Sequence, residues 1–217
     1  MSGNKDGDLS PPQSFPGPVP VEPLVFTGKP GELYYFAYGS NMNKSQMHAR
    51  CARPQAIAVA MLPHYQLGFF GHSPTWDGAL ETVVPARGQE VWGVIYDLSA
   101  SDRERLDVWH DVRLDGTGAY FHYPLKITDT GGKTRIVLFY KKARMDSPEK
   151  PSREYLDLIV QGALEHGLPA AYVEGLRRIQ SKKAAYPVPK QRNAGRELLL
   201  ETYCSQCGEG ASPGDHA

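Results

Sequence analysis

Tyr38, Gly39, Ser40 and Asn41 stand at the end of an apolar, aromatic run (LYYFA, residues 33–37) and just before a stretch of helical character, NKSQMHARC. A strand that ends in such a corner leaves the backbone N–H groups of the next helical turn free. Gly39 allows close approach of a ligand, and Ser40 and Asn41 add side-chain hydrogen bonds. That chemistry suits a carboxylate or an oxyanion. A Gly-Ser-Asn turn ahead of a helix is also the ordinary composition of an N-cap, and the corner by itself does not separate the two readings. A second position with chemical potential is Glu81, in GALETVVP, a carboxylate on an otherwise hydrophobic strand. Ala79 and Val83 share its face. If that face lines the interior, Glu81 is a buried acid with a raised pKa and a proton carrier; if it faces water, it is an ordinary strand residue.

The elements that must position these residues follow from periodicity and composition. Strands are expected over LYYFAY, AVAMLPHYQLGFF, ALETVVPA, EVWGVIYDL, YFHYPLKIT and RIVLFYKK, each rich in β-branched or aromatic residues and bounded by Gly, Pro, Asp or Asn. Helices are expected over NKSQMHARC, over SASDRERLDVW with Ser and Asp as caps, and over SREYLDLIVQGALEHGLPAAYVEGLRRI. Gly167 and Pro169 divide this last segment into two helices joined by a tight turn. The fold class is α+β, with a mixed or antiparallel sheet and added helices.

The chain has 217 residues, 41% of them hydrophobic, enough for one compact domain. Lys plus Arg and Asp plus Glu are both 24, so the formal net charge is zero. The overall field offers nothing to nucleic acid or to an anionic membrane, and a small-molecule partner is the better expectation. With no apolar run near the ~20 residues of a membrane span and no secretory pattern, a soluble, cytoplasmic protein is expected. Residues 1–24, rich in Pro, Gly, Ser and Asp, are expected to be a flexible arm, residues 25–204 the folded domain, and residues 205–217 a flexible tail. Three cysteines do not make a disulfide framework. Cys204 and Cys207 form a CxxC pair in a polar stretch with no second pair to complete a zinc site. Cys51 reads as a buried structural thiol. The seven histidines show no metal-ligand spacing, and oligomeric state is open, a homodimer included.

Resemblance along the chain sharpens the corner. YFAYGSNM resembles the signature strand and loop of the γ-glutamylcyclotransferase family. TWDGALETVVPARGQEVWGVIYDLSASDRERLD resembles the family's second block, with a Trp-containing turn, a Pro/Gly hairpin, the EVWGVIY strand and the LD that opens the next loop. YLDLIVQGALEHGLPAAYVEGLRRI is similar to the C-terminal helices of the glutathione-cycle type. The resemblance implies a small mixed β-barrel flanked by helices, with a pocket at one barrel mouth. It also implies release of 5-oxoproline from γ-glutamyl amines or amino acids without cofactor or metal, the substrate's own α-amine attacking its γ-carbonyl. Such a site holds the oxygen-rich end of the substrate near Tyr38–Asn41 and needs a positioned group to move a proton. Tyr120 and Tyr140 fall near family pocket positions.

One departure stands out. After LD the family pattern places a Glu followed by Gly, and that Glu is the acid/base; this chain reads LDVWHDV, with His110 and Asp111 at those two positions. Three replacements are open. His110 titrates near neutrality and suits proton shuttling. Asp111 supplies a carboxylate one position along, where a side chain ordinarily turns away from the same target. Glu81 stands where the family has a small apolar residue. The same departure admits a repurposed member that catalyses cyclisation, isomerisation or elimination on a secondary metabolite, or a non-catalytic ligand binder. RLDGTGA, between Val112 and Tyr120, lengthens the loop beside the pocket and reads either as a reshaping of it or as a tolerated surface insertion.

Overall fold

A computed structural model describes residues 33–190. The flexible arm expected over residues 1–24, the tail expected over 205–217 and the Cys204–Cys207 pair all lie outside the described residues.

The elements run β1 (Tyr34–Ala37), a single 3-10 turn (Ser40–Met42), α1 (Lys44–Arg50), β2 (Gln55–Ser73), β3 (Gly78–Asp97), α2 (Ala100–Trp109), β4 (Tyr120–Thr128), β5 (Thr134–Lys142), α3 (Arg153–Glu165) and α4 (Ala170–Arg177). They form one five-stranded sheet in the order β2-β3-β1-β5-β4. β1 is antiparallel to β3 and parallel to β5, so the sheet is mixed. Ser99 caps α2 by accepting from the Asp102 amide, and Ser152 caps α3 by accepting from the Tyr155 amide. Gly167, at φ 64°, ends the α3 turn with the left-handed geometry that glycine adopts freely, and Pro169 starts α4. Among the described residues no helix is long and apolar enough to cross a membrane.

One expectation is corrected. Pro85 to Gly88 is not a hairpin: β3 is continuous from Gly78 to Asp97, and residues 86–89 bulge out opposite His64, between the Pro63–Glu90 and Tyr65–Pro85 pairs. A Pro and a Gly that punctuate a strand in sequence are here absorbed by the bulge, which bends the ladder without ending it. The β2–β3 hairpin turns instead at Ser73–Gly78, around the buried Trp76. The barrel is also looser than a closed one. At its edges β2 meets the turn that follows β4 through an isolated bridge, Ala60 to Asp129, supported by the Thr130 amide donating to the Val59 carbonyl at 2.9 Å.

The core divides into two clusters. Phe36, Tyr38, Leu62, Val83, Val91, Ile95, Val137 and Phe139 pack inside the curled sheet. Met42, Met47, Ala79, Leu106, Tyr155, Ile159 and Leu176 join the helices to its other face. Alternation along β1 sends Tyr35 and Ala37 to the helix side and Phe36 and Tyr38 to the sheet interior. On β3, Ala79 belongs to one cluster and Val83 to the other. Glu81 lies between them, at the seam.

Candidate active site

The corner is built from a tight turn, not from a helix cap. The Met42 amide donates to the Gly39 carbonyl at 2.9 Å and the Asn43 amide to the Ser40 carbonyl at 3.2 Å. Capping of α1 falls to Asn43, whose Oδ1 accepts from the Gln46 amide at 3.1 Å. Ser40 and Asn41 are therefore buried without serving as caps.

Glu81 fills the space that Gly39 leaves open. It is 6% exposed, and its Oε1 accepts the Ser40 amide N–H at 3.1 Å. A Cβ at position 39 would stand 1.7 Å from that oxygen, so glycine is required there by contact and not by backbone conformation. Oε2 accepts from the Tyr155 hydroxyl, which also lies 3.3 Å from Ser40 Oγ. The backbone carbonyl of Glu81 accepts from the Tyr120 hydroxyl at 2.9 Å. Burial first, and then the neighbouring Glu81 charge, hold the Tyr155 phenol well above its ordinary pKa, so it stays a donor.

On the other side of the corner a chain of bonds fixes His110. Arg50, at the end of α1, donates to Asn41 Oδ1 and, at 3.3 Å, to Ser40 Oγ. Because guanidinium only donates, the Asn41 amide must point its oxygen at Arg50 and its nitrogen away. That nitrogen donates to the Tyr35 hydroxyl at 2.7 Å and to His110 Nε2 at 3.1 Å. His110 thus accepts at Nε2 and carries its proton on Nδ1. Its ring stacks on Tyr140 at 3.9 Å and meets Tyr120 edge-on at 5.1 Å. Burial, and next the Arg50 charge, push the imidazole well below its usual pKa.

The structure brings Ser40, Asn41, Glu81, His110, Tyr120 and Tyr140 together and leaves two candidates apart. Asp111 follows α2 at φ 48°, a left-handed turn that directs its carboxylate to Arg113 Nε at 2.8 Å and to the Ala119 amide at 3.2 Å, on the loop surface. It secures the base of the 113–118 loop and does not reach the corner. Tyr38 contributes only backbone there, since its hydroxyl donates to the Tyr140 carbonyl within the sheet interior. Tyr140 gives its own hydroxyl to Asp107 at 2.7 Å. Tyr35 and Tyr140 also line a cavity of about 300 Å³ with Leu98, Arg103, Asp107 and His122. Cys51 is buried with its thiol pushed up to about 11, chiefly by burial, as a structural thiol should be.

Three contributors escaped the sequence reading. Tyr155 presented itself as one more apolar position of a helix, Tyr35 as a strand residue, and Arg50 as a basic residue in a last helical turn, where any cation is favoured.

The profile of the AIG2-like family matches residues 90–176. The chain is 33% identical over 159 residues to the γ-glutamylcyclotransferase of Homo sapiens, spanning 71% of this chain and 82% of that protein. The Mus musculus γ-glutamylcyclotransferase is likewise 33% identical, over 70% of this chain and 82% of its own. Among solved structures, a γ-glutamyl cyclotransferase superposes with a TM-score of 0.67 at 29% identity, covering 78% of this chain and 98% of that one. A mixed sheet with a Tyr-Gly-Ser-Asn corner, the order of its helices and these relatives agree, and the chain belongs to the γ-glutamylcyclotransferase family.

Proposed function

We propose that this protein releases 5-oxoproline from a γ-glutamyl amine, a γ-glutamyl amino acid or a glutathione-derived conjugate, and that Glu81 moves the proton. The observation that carries the reading is the Glu81 carboxylate on the Ser40 amide, at the corner itself. Of the other two candidates, Asp111 is turned away and His110 has its Nε2 lone pair engaged by Asn41. In the reaction the α-amine nitrogen bonds to the γ-carbonyl carbon, closing a five-membered lactam, and the bond from that carbon to the leaving nitrogen breaks. Glu81 takes a proton from the α-ammonium and returns one to the leaving nitrogen. The Ser40 amide and the Tyr155 hydroxyl hold the two oxygens of Glu81 in place for both transfers. His110, held neutral, keeps Asn41 and the aromatic wall in place.

The test is 5-oxoproline release from a γ-glutamyl amino acid, glutathione and a γ-glutamyl amine by the native protein, Glu81→Gln and His110→Ala. Expected is release by the native protein, a loss of roughly 10²- to 10⁴-fold in Glu81→Gln, and a smaller loss in His110→Ala. No release from any substrate would overturn the cyclotransferase reading.

A further inference from the structure

Arg50 is a buried cation without a matching anion. It is 7% exposed, and none of the ion pairs among the described residues includes it. Its terminal nitrogens donate to neutral oxygens only: Ser40 Oγ, Asn41 Oδ1 and, at 2.9 Å, Gln46 Oε1. Nε is buried with no hydrogen-bond partner among the described residues. The Trp109 ring lies against the guanidinium, its centroid 4.2 Å from the guanidinium carbon. Glu81 is the mirror case, a buried carboxylate held by an amide and a phenol and, among the described residues, by no cation. The two charges do not meet. Ser40 stands between them, donating its N–H to Glu81 and accepting from Arg50 at Oγ.

Burying two opposite charges without pairing them is unfavourable in the free protein. The arrangement becomes favourable when one ligand brings a positive and a negative group a few bonds apart. We infer that Arg50 is a specificity-determining residue that receives the α-carboxylate of the substrate, while Glu81 receives the α-ammonium, so that the corner reads the complete zwitterionic head group of an amino acid. The unpartnered Nε is a donor free for that carboxylate, and the planar guanidinium suits carboxylate geometry in a way that lysine does not. The inference rests on the proposed function for the rest of the substrate and concerns the head group alone. An ester, amide or N-acyl derivative of the same substrate is then excluded at the binding step.

The experiment uses ligands that cannot cyclise. L-norleucine carries the head group but no γ-carbonyl; L-norleucinamide lacks the carboxylate, and N-acetyl-L-norleucine lacks the ammonium. Calorimetric binding to the full chain is compared for native protein, Arg50→Met, Arg50→Lys and Glu81→Gln. The native protein is expected to bind L-norleucine at least ~10-fold more tightly than either derivative, since each leaves one buried charge unanswered. Arg50→Met abolishes the preference over the amide and keeps the preference over the N-acetyl compound; Arg50→Lys retains part of the first. In turnover, Arg50→Met raises KM more than it lowers kcat. Equal or undetectable binding of all three ligands by the native protein would overturn the inference without reference to any variant. An unchanged acid-to-amide ratio in folded Arg50→Met would overturn it as well. Failure of the cyclotransferase reading is seen separately, as absence of 5-oxoproline while the norleucine preference persists.

Discussion

Glu81 Oε1 lies 1.7 Å from the point where a Cβ on Gly39 would be built, so a strand residue and a turn residue occupy complementary space. Gly39→Ala is therefore expected to push Glu81 off the Ser40 amide and to cost about 1–3 kcal/mol of stability. In a Glu81→Ala background the same change should cost little. Urea denaturation of the four proteins in this cycle measures the coupling, and additive effects would show that the contact is unimportant.

The Tyr155 hydroxyl is a donor to Glu81 and a neighbour of Ser40 Oγ. Tyr155→Phe leaves the packing against Trp76 and withdraws that donor from a buried charge. A loss of roughly 1.5–3 kcal/mol is expected for a bond of this kind. Turnover should fall less than in Glu81→Gln, because the proposed proton carrier remains. Denaturation midpoints and steady-state rates on the same two variants decide the point.

His110 gives a pH signature of stability. Its folded pKa lies well below 6.5, so between that folded value and the ordinary histidine value the unfolded chain binds the extra proton. The contribution is fully present above about pH 6.5 and is lost as pH falls toward the folded value. His110→Gln should flatten this part of the stability profile between about pH 6.5 and 5. A native and a variant profile that stay parallel through this window would refute the assignment of a half-buried, neutral imidazole.

Asp111 separates two readings by conformation. Its φ of 48° is tolerated by Asp, Asn and Gly and strained for a β-branched side chain. Asp111→Gly should leave 5-oxoproline release within about threefold of native, whereas Asp111→Val should destabilise by roughly 1–2 kcal/mol. A large loss of activity in Asp111→Gly, with stability intact, would return that residue to the catalytic candidates.

Cys51 should be inert in the folded protein. With its thiol pushed up to about 11, little thiolate exists near neutral pH. In a chain carrying Cys204→Ser and Cys207→Ser, labelling by a disulfide reagent is expected only upon unfolding. Rapid labelling of the native form would contradict the buried environment.

Much of this architecture is written plainly in the sequence, because each strand carries β-branched and aromatic residues and each long helix a recognisable cap. β4 spans the YFHYPLKIT stretch, and Gly167 and Pro169 part α3 from α4. Pro85 and Gly88 misled because the same residues that end a hairpin strand also build a bulge, and only the Pro63–Glu90 and Tyr65–Pro85 pairs on either side of the unpaired His64 distinguish the two. The acid on β3 was visible as an anomaly, but its direction was not. Thr82, on the opposite face, is fully buried too, so alternation could not say which face was interior. The Arg50–Asn41–His110 chain joins α1, the corner and the end of α2, contacts that arise only once the chain is folded.

The ladder that holds Glu81 has an evolutionary consequence. Glu81 pairs with Phe69 within two long strands, and its place is set by the register of that hairpin. An acid carried by the loop after α2 would instead move with every change in that loop. With the carboxylate housed on the sheet, the segment from Arg113 to Gly118 is relieved of any duty to hold it, and its exposed residues can drift, lengthen or acquire a new contact. Such a division of labour lets selection alter what borders the proposed site while the position of Glu81 is inherited intact.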